Sequence, residues 1–303
     1  MSTPVLLVTG FLGAGKTTAI NALLQNSQGE RIAAIVNDFG AINVDAELLE
    51  GAADAVVGLK NGCICCTLQG DLLRTLRLVL AHDPPPERIV IEASGAADPR
   101  GIAEMVLDPV LWGVVSLDAI ACVIDAEDCL QTPARMQDRL WRAQIENADF
   151  ALLTKTAGLA PAALVSLRAR LAVMGKPSVD LDAEGLPMAL LTGRPQAPRA
   201  APGPERVSAD RFVTLEWQST QPIRAEAFRE GLGKLSVGLL RAKGWLAFTD
   251  EPGASHLFQL VGRRATFSPA ETRADQPPCR LVLIGERGEF DLQAAKALLD
   301  QME

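Results

Sequence analysis

Residues Gly10 to Thr18 read GFLGAGKTT and combine residue types that can hold a chain of phosphate groups. They fit the spacing G-x-x-x-x-G-K-[ST], with Gly10, Gly15, Lys16 and Thr17 at its four fixed positions. Glycines let backbone N–H groups turn toward phosphate oxygens, the lysine adds a mobile positive charge, and the threonine hydroxyl can bind magnesium. The stretch therefore predicts a site for a nucleoside triphosphate.

The residues on either side of this loop support the prediction. The preceding apolar run VLLV, at residues 5–8, is typical of a buried strand, and residues 16–26 carry the apolar spacing of a helix. A strand, a glycine loop and a helix in that order are the context that the motif requires. This context favours the nucleotide site over a glycine-rich turn that merely joins a strand to a helix.

A second cluster of reactive side chains is the C-x-C-C motif formed by Cys63, Cys65 and Cys66. Three thiolates within four residues suit a borderline-soft divalent ion such as zinc, yet supply only three of the four ligands of a closed structural site. An open position favours transfer of the metal over scaffolding. Redox chemistry and simple burial as small apolar residues remain alternatives. The other three cysteines are scattered, and we expect them in the core.

Two acidic residues follow predicted strands, where a parallel sheet places its ligands. Asp38, in the sequence NDFG, could bind metal or magnesium-bound water, or it could be an ordinary turn residue. Glu92, in IEASG, follows the apolar run IVI. In phosphate-loop proteins an acid at such a strand end contacts magnesium or its water shell, and the nearby glycine, here Gly95, can sense the terminal phosphate. A plain strand-to-loop turn is the alternative.

The sequence TKTA at residues 154–157 follows another apolar run, ALL. Guanine-binding proteins place N-K-x-D at this location, where the carboxylate pairs with the base edge and the lysine stem packs over the ring. Here Thr154 replaces the asparagine, Lys155 is retained and Ala157 replaces the aspartate. Thr154 and Lys155 are candidate nucleotide contacts, whereas the group that selects the base is missing.

Composition narrows the class of protein. The chain has 303 residues, a net charge of −8, no tyrosine and no apolar run as long as a membrane span, so we expect a soluble globular protein that does not use a membrane. Nucleic acid is not an expected partner, because its phosphate backbone demands a basic face. Residues 1–9 do not resemble a signal peptide, and closely spaced cysteines fit a reducing cytoplasm.

Strand-like runs alternate with amphipathic helices up to about residue 190, which predicts an α/β domain with a mainly parallel sheet flanked by helices. A Pro- and Ala-rich stretch then indicates a linker, and a small α+β domain follows it. We therefore expect domains at 1–192 and 207–303, joined by a linker at 193–206. The predicted strands are 5–8, 31–36, 55–59, 88–91, 119–124, 150–153, 212–217, 245–248, 256–261 and 280–284. The predicted helices are 16–26, 68–81, 99–106, 134–147, 161–174, 225–232 and 292–302.

Taken together, these motifs resemble those of the CobW family of phosphate-loop GTPases, a group of metallochaperones. The segments GFLGAGKTT, NDFGAINVDAELL, NGCICC with the following TLQGDL, IEASGAADP and LLTKT occur in the family's order. The C-terminal region, with its LRAKG stretch at residues 240–244, is similar to the family's second domain. The C-x-C-C between the phosphate loop and the acidic strand is the specific part of this resemblance.

The resemblance implies a slow GTPase with GTP, magnesium and zinc, or a similar divalent ion, as its ligands and a client metalloprotein as its partner. Hydrolysis would time the release of the metal to the client. The catalytic group would comprise Lys16, Asp38 and Glu92, and the transferred metal would lie on Cys63, Cys65 and Cys66. Phosphate and magnesium would be held by Gly10, Gly13, Ala14, Gly15, Lys16, Thr17 and Thr18.

Three departures from the family pattern leave questions open. Ala41 stands where the family commonly has an acid, Ala157 removes the guanine-selecting aspartate, and the linker carries no histidine-rich segment. A small-molecule kinase or ATPase is therefore an alternative, as is a metal or redox sensor that binds nucleotide without hydrolysing it. The oligomeric state, monomer or dimer, is also open.

Overall fold

The computed structural model divides the chain into two compact units, Ser2–Leu186 and Pro187–Glu303. The division falls a few residues before the linker predicted from the sequence. Of the candidate site residues, Asp38, Cys63, Cys65 and Cys66 lie outside the residues that the structure describes. Those described are 2–27, 29–37, 55–59, 68–193, 212–235, 238–262, 264–270 and 277–302.

The first unit is built on a parallel sheet, as the sequence predicts. In the described part of the chain the sheet has seven strands. They are β1 Thr3–Thr9, β2 Ile32–Asn37, β3 Ala55–Leu59, β4 Arg88–Glu92, β5 Val115–Asp125, β6 Phe150–Thr154 and β7 Ser178–Asp180. Their order across the sheet is β3-β2-β4-β1-β5-β6-β7, and every neighbouring pair is parallel.

The central strands are almost fully buried because helices cover the sheet. Parallel strands buried on both faces appear in a sequence as near-continuous apolar runs, which is why most of them could be predicted. In β1 and β4 the pairs Val5↔Ile89 and Leu7↔Ile91 are in register. All seven strands end at the same edge of the sheet, and the phosphate loop leaves from that edge, directly after β1.

The helices of the first unit connect the strands and pack into the same core. One prediction was wrong in detail, because the expected helix at 134–147 is broken. Its first part is a 3-10 turn, Pro133–Gln137, and the α-helix begins only after Asp138, whose carboxylate caps it by accepting from the N–H groups of Leu140 and Trp141. The helices are α1 Lys16–Gln25, α2 Leu68–Leu80, α3 Arg100–Val106, α4 Ala126–Gln131, α5 Arg139–Asn147 and α6 Pro161–Val173.

The second unit is an α+β domain, also as expected. Its described strands are β8 Phe212–Ser219, β9 Leu239–Leu246, β10 Ser255–Val261, β11 Arg264–Ala270 and β12 Cys279–Glu286. They form an antiparallel sheet in the order β11-β10-β9-β12-β8. The core of this unit includes Phe228 and Phe258, whose ring centroids lie 5.1 Å apart. The helices are α7 Met188–Thr192, α8 Ala225–Leu235 and α9 Leu292–Asp300.

One strand of this unit was misplaced by sequence reasoning. The expected strand at 245–248 is the end of β9, which begins six residues earlier, at Leu239. The beginning of the strand was not recognised in the sequence because it contains Arg241, and a charged residue is unusual at a buried position. Its guanidinium is nevertheless buried and donates to the carbonyl oxygens of Leu190 (2.6 Å) and Leu191 (3.2 Å).

Three of the buried charged side chains in the described residues form an ion-pair cluster. The Arg88 guanidinium lies 3.2 Å from the Glu30 carboxylate and 2.7 Å from that of Asp118, and all three side chains are buried. Burial raises the pKa of the Cys122 and Cys129 thiols to about 12. These two cysteines and Cys279 lie in the core, which confirms the expectation from the sequence. Within the described ranges no helix is both long and apolar enough to cross a membrane.

Candidate nucleotide-binding site

The phosphate loop adopts a conformation that favours glycine at three of its positions. Gly10, Gly13 and Gly15 have φ angles of 140°, 74° and 91°. A Cβ on Gly10 would also lie 2.2 Å from the carbonyl oxygen of Val123 in β5, so the loop leaves β1 against a neighbouring strand. Gly15 precedes α1 and has no side chain to cap it, so the positive end of the helix dipole faces a ligand bound in the loop.

The two side chains that follow Gly15 meet the acid at the end of β4. The Thr17 hydroxyl lies 3.2 and 3.3 Å from the two carboxylate oxygens of Glu92, and the Lys16 ammonium lies 4.0 Å from one of them. Lys16 also donates to the carbonyl oxygen of Phe11 (3.3 Å), which folds its side chain back over the loop. The parallel pairing of β1 and β4 places Val8 beside Glu92, so the sheet itself brings the acid to the loop.

The donors at this point fit a magnesium ion. Mg²⁺ prefers oxygen ligands and is commonly bound by one or two protein oxygens together with substrate phosphates. Thr17 supplies a hydroxyl and Glu92 a carboxylate, and both belong to the set predicted from the sequence. Of the remaining predicted positions, Ala14 is buried in the loop, while Gly13 and Thr18 are exposed on its surface.

The loop after β4 packs directly on the phosphate loop. A Cβ on Gly95 would lie 2.8 Å from the backbone nitrogen of Leu12, so this approach requires glycine. On its other side the β4 loop is fixed by Gln144 of α5, a fully buried side chain that donates to the carbonyl oxygens of Gly95 (3.1 Å) and Ala97 (3.2 Å). Sequence reasoning missed Gln144, because nothing in its own helix distinguishes it from a polar residue on the surface.

The segment 154–157, here called the base loop, is tied to the phosphate loop. The Thr154 hydroxyl lies 2.8 Å from the carbonyl oxygen of Ala14 and 3.2 Å from that of Ile124. Lys155 has a φ of 53°, and its ammonium lies 2.5 Å from a carboxylate oxygen of Asp125, which raises the pKa of the lysine. Thr154 therefore performs a structural task at the position where guanine-binding proteins carry asparagine.

A further acid lies beside the base loop that the sequence did not point out. The backbone N–H of Thr156 donates to the carboxylate of Asp182 at 2.8 Å, and the Thr156 hydroxyl donates to Asp180 at 2.6 Å. Asp182 is exposed and follows β7, whereas Asp180 is buried at its end. Leu153 and Asp180 are paired across β6 and β7, so the two loops emerge side by side.

The predicted metal motif cannot be placed directly, since its three cysteines lie outside the described residues. The nearest described elements on either side of it in the sequence are β3, which ends at Leu59, and α2, which begins at Leu68. Across the described part of the chain, no group of three or more His, Cys, Asp or Glu side chains could hold a metal ion. His82 is exposed, and the Nε2 atom of His256 lies 2.8 Å from the Glu251 carboxylate.

A parallel sheet, a glycine loop that runs into a helix, and an acid on the neighbouring strand define a phosphate-loop nucleotide-binding protein. Comparison with family models narrows this class. Residues 4–178 match the CobW/HypB/UreG nucleotide-binding domain, and residues 212–303 match the cobalamin synthesis protein cobW C-terminal domain. The chain belongs to the CobW family.

Curated relatives resemble parts of the chain. It is 40% identical over 129 residues to the zinc chaperone CobW of Sinorhizobium sp, covering 41% of this chain and 36% of that protein. It is 37% identical over 158 residues to the zinc chaperone YjiA of Escherichia coli, covering 50% and 49%. It is 33% identical over 172 residues to the zinc-regulated GTPase metalloprotein activator 1 of Schizosaccharomyces pombe, covering 54% and 42%. The chain thus spans half or less of the length of these relatives.

Proposed function

We propose that the protein is a slow GTPase that binds zinc, or a similar divalent metal, through Cys63, Cys65 and Cys66 and delivers it to a client metalloprotein. The observation that carries the nucleotide part is that the Lys16 ammonium and the Thr17 hydroxyl, at the phosphate loop, both lie within 4.0 Å of the Glu92 carboxylate. The zinc part is supported by the residue types of the C-x-C-C motif and by the names of the relatives.

Each residue of the loop has a separate task in this proposal. The backbone N–H groups between Gly10 and Gly15 and the Lys16 ammonium bind the phosphate oxygens. Thr17 and Glu92 would hold magnesium, which when bound neutralises charge on the phosphate oxygens. Gly95 brings the β4 loop against Leu12, so the backbone of this loop borders the terminal phosphate.

Hydrolysis is proposed to be slow without a partner. The sequence offers no residue of the type and place that positions the attacking water in related nucleotide switches. A client or regulator that completes the site would accelerate turnover, as it does in switches whose catalytic group is supplied in trans. Slow turnover suits a protein that must keep its cargo until it meets the client.

The metal is the cargo in this proposal, and β3, the strand that precedes the cysteines in the sequence, belongs to the same sheet as β1. β3, which precedes the cysteines, is three strands from β1 in the sheet. At about 4.8 Å per strand, the two strand ends are about 14 Å apart. We propose that nucleotide state changes zinc affinity across this distance. A ligand that binds two states equally shifts nothing, so the two states must differ in their affinity for zinc.

The test is a zinc titration of the fully reduced protein, with and without magnesium and a non-hydrolysable GTP analogue. A chromogenic chelator in competition reports the affinity. We expect the nucleotide to tighten zinc binding at least about tenfold, and Cys65→Ala to abolish tight binding. Cys279→Ala, which removes a buried thiol from the second unit, is the matched control and should retain it.

Two results would redirect the proposal. Equal zinc affinity in both nucleotide states would remove the coupling, and tight zinc binding without any nucleotide hydrolysis would favour a sensor. Transfer of phosphate from ATP to a small molecule rather than to water, seen in a product analysis with GTP and ATP, would favour the kinase.

A further inference from the structure

The base loop lacks the carboxylate that guanine-binding proteins carry at this location. A guanine base presents two adjacent donors on its pairing edge, N1–H and the 2-amino group, and a carboxylate can accept from both. Ala157 stands where guanine-binding proteins carry this carboxylate, and its exposed methyl group can accept no hydrogen bond. If the protein selects guanine, the acceptor must come from elsewhere in the fold.

Asp182 is the carboxylate that the fold places beside this position. One of its oxygens accepts from the backbone N–H of Thr156, the residue before Ala157, at 2.8 Å. The Thr156 hydroxyl lies 3.3 Å from the same oxygen. The other oxygen, Oδ1, has no hydrogen bond among the described residues, and the side chain is exposed. The carboxylate is thus held at the base loop by one oxygen, on a side chain that is exposed.

The backbone that carries Asp182 is fixed as well. The buried carboxylate of Asp180 accepts from the N–H groups of Asp182 and Ala183, both at 3.1 Å, and from the Thr156 hydroxyl at 2.6 Å. Asp180 therefore joins the turn after β7 to the base loop. A carboxylate on a fixed turn loses little conformational entropy when it binds a ligand, so the arrangement suits recognition.

The base loop is in turn tied to the phosphate site. The Thr154 hydroxyl bonds to the Ala14 carbonyl at 2.8 Å, and a Cβ on Gly15 would be 3.6 Å from the Thr154 methyl group. Segment 154–157 therefore lies directly beside the loop that would hold the phosphates. The hydrogen bond between Thr154 and Ala14 does not involve the acidic residues, and it also supports a nucleotide as the ligand.

From this geometry we infer that Asp182 selects guanine by accepting from N1–H and the 2-amino group, in place of the acid missing at Ala157. The inference rests on the proposed nucleotide-binding function and names the residue that determines its base specificity. Adenine presents a lone pair at N1, which a carboxylate repels. Adenine therefore forfeits both hydrogen bonds that guanine makes to the carboxylate and meets this repulsion in their place, so the site favours guanine.

The test compares the dissociation constants of GDP, ADP and xanthosine diphosphate for the wild-type chain and for Asp182→Asn. Xanthine carries a carbonyl where guanine carries the 2-amino group, and an asparagine amide can both accept from N1–H and donate to that carbonyl. We expect Asp182→Asn to weaken GDP at least about 100-fold, to strengthen xanthosine diphosphate at least about tenfold, and to leave ADP binding no weaker than in the wild type, because the repulsion of adenine N1 is removed.

Two further variants control the experiment. Asp83→Asn alters an exposed aspartate between α2 and β4, at the opposite edge of the sheet, and should leave all three affinities unchanged. Ala157→Asp, added to Asp182→Asn, puts a carboxylate back into the base loop at an exposed position. It should restore GDP binding to within about tenfold of the wild type, which a purely structural role of Asp182 would not allow.

The outcomes separate the inference from the function on which it rests. A wild-type chain that binds no nucleotide overturns both. A wild-type chain that prefers GDP, with a preference that survives Asp182→Asn, overturns the inference alone. An equal loss of GDP and ADP affinity in Asp182→Asn, without a gain for xanthosine diphosphate, also overturns it, because that pattern reports a distorted loop.

Discussion

The tether between the base loop and the phosphate loop can be cut with one substitution. Thr154→Val keeps the branched shape of the side chain and removes only its hydroxyl. The hydroxyl has a single proton, and the shorter of its two contacts, 2.8 Å to the Ala14 carbonyl against 3.2 Å to that of Ile124, marks Ala14 as the main acceptor. The Val variant therefore releases the phosphate loop at one defined point.

The size of the effect follows from the contact. A hydrogen bond between neutral groups contributes about 0.5–1.5 kcal/mol net, which corresponds to about a 2- to 13-fold change in an equilibrium constant. Ala14 is buried, so its carbonyl group loses a partner that water does not easily replace, and the penalty can rise to about 3 kcal/mol. We expect nucleotide affinity to fall within that 2- to 13-fold range and the free energy of unfolding to fall by about 1–3 kcal/mol.

The assay is a fluorescence titration with GDP and with ADP in the presence of magnesium. Thr154→Ser is the control, because it keeps the hydroxyl and should bind both nucleotides within about twofold of the wild type. A tether acts on the phosphate loop, so Thr154→Val should weaken GDP and ADP alike. Unchanged affinities would refute the tether. A loss confined to GDP would show instead that Thr154 contacts the base.

Three other predictions concern packing, buried charge and thiol chemistry. Gly95→Ala adds a methyl group 2.8 Å from the Leu12 nitrogen, so it must displace the phosphate loop and weaken GDP binding at least about tenfold in the same titration. Arg88→Met leaves two buried carboxylates without their cation and should lower the free energy of unfolding in urea by about 3–5 kcal/mol. Cys122 and Cys129, with pKa values near 12 against 9.0 when unfolded, should not react with a thiol reagent at pH 8 in the native protein. Because the pKa of these thiols is higher in the folded protein than in the unfolded chain, their burial as neutral thiols stabilises the fold fully below about pH 9. This stabilisation is lost as the pH rises toward about 12.

Each of these predictions has a matched control. Gly101→Ala adds a Cβ with nothing within 4 Å and should leave GDP affinity unchanged. Arg142→Met breaks an exposed ion pair with Glu146 and should cost less than about 1 kcal/mol, so an equally small effect at Arg88 would contradict the prediction. The thiol experiment uses a chain whose motif cysteines are replaced by alanine. Labelling of that chain at pH 8 without denaturant would contradict burial of the remaining thiols.

Most of the first unit could be predicted from the sequence because its central strands are buried on both faces. Such strands form short apolar runs between turn residues, and their limits in the structure lie within a few residues of the predicted ones. β7 was missed, because it has three residues and two of them, Ser178 and Asp180, are polar although buried. α4 was missed as well, since a six-residue helix is too short to show a periodic pattern.

Some residues of the candidate site can be identified from their neighbours in the sequence, and others only from contacts in the folded chain. The phosphate loop is contiguous, so its spacing alone defines it, and Glu92 follows a strand that sequence patterns identify. Gln144 and Asp182 contribute through contacts with residues 49 and 26 positions away. No local pattern records which distant loop a side chain will meet, so such residues emerge only when the order of the strands is known.

The base loop shows how residues of a motif can be replaced while other residues supply the same chemical groups. Read alone, TKTA has lost two of the three residues that define a guanine site. In the structure the Thr154 hydroxyl still ties the loop to Ala14, a task that needs one donor and not an amide. The carboxylate of Asp182 accepts a hydrogen bond from Thr156, the residue before Ala157, so an acid remains at the loop although it comes from the turn after β7. A missing motif residue therefore argues against a function only after the neighbouring loops have been searched for the same chemical group.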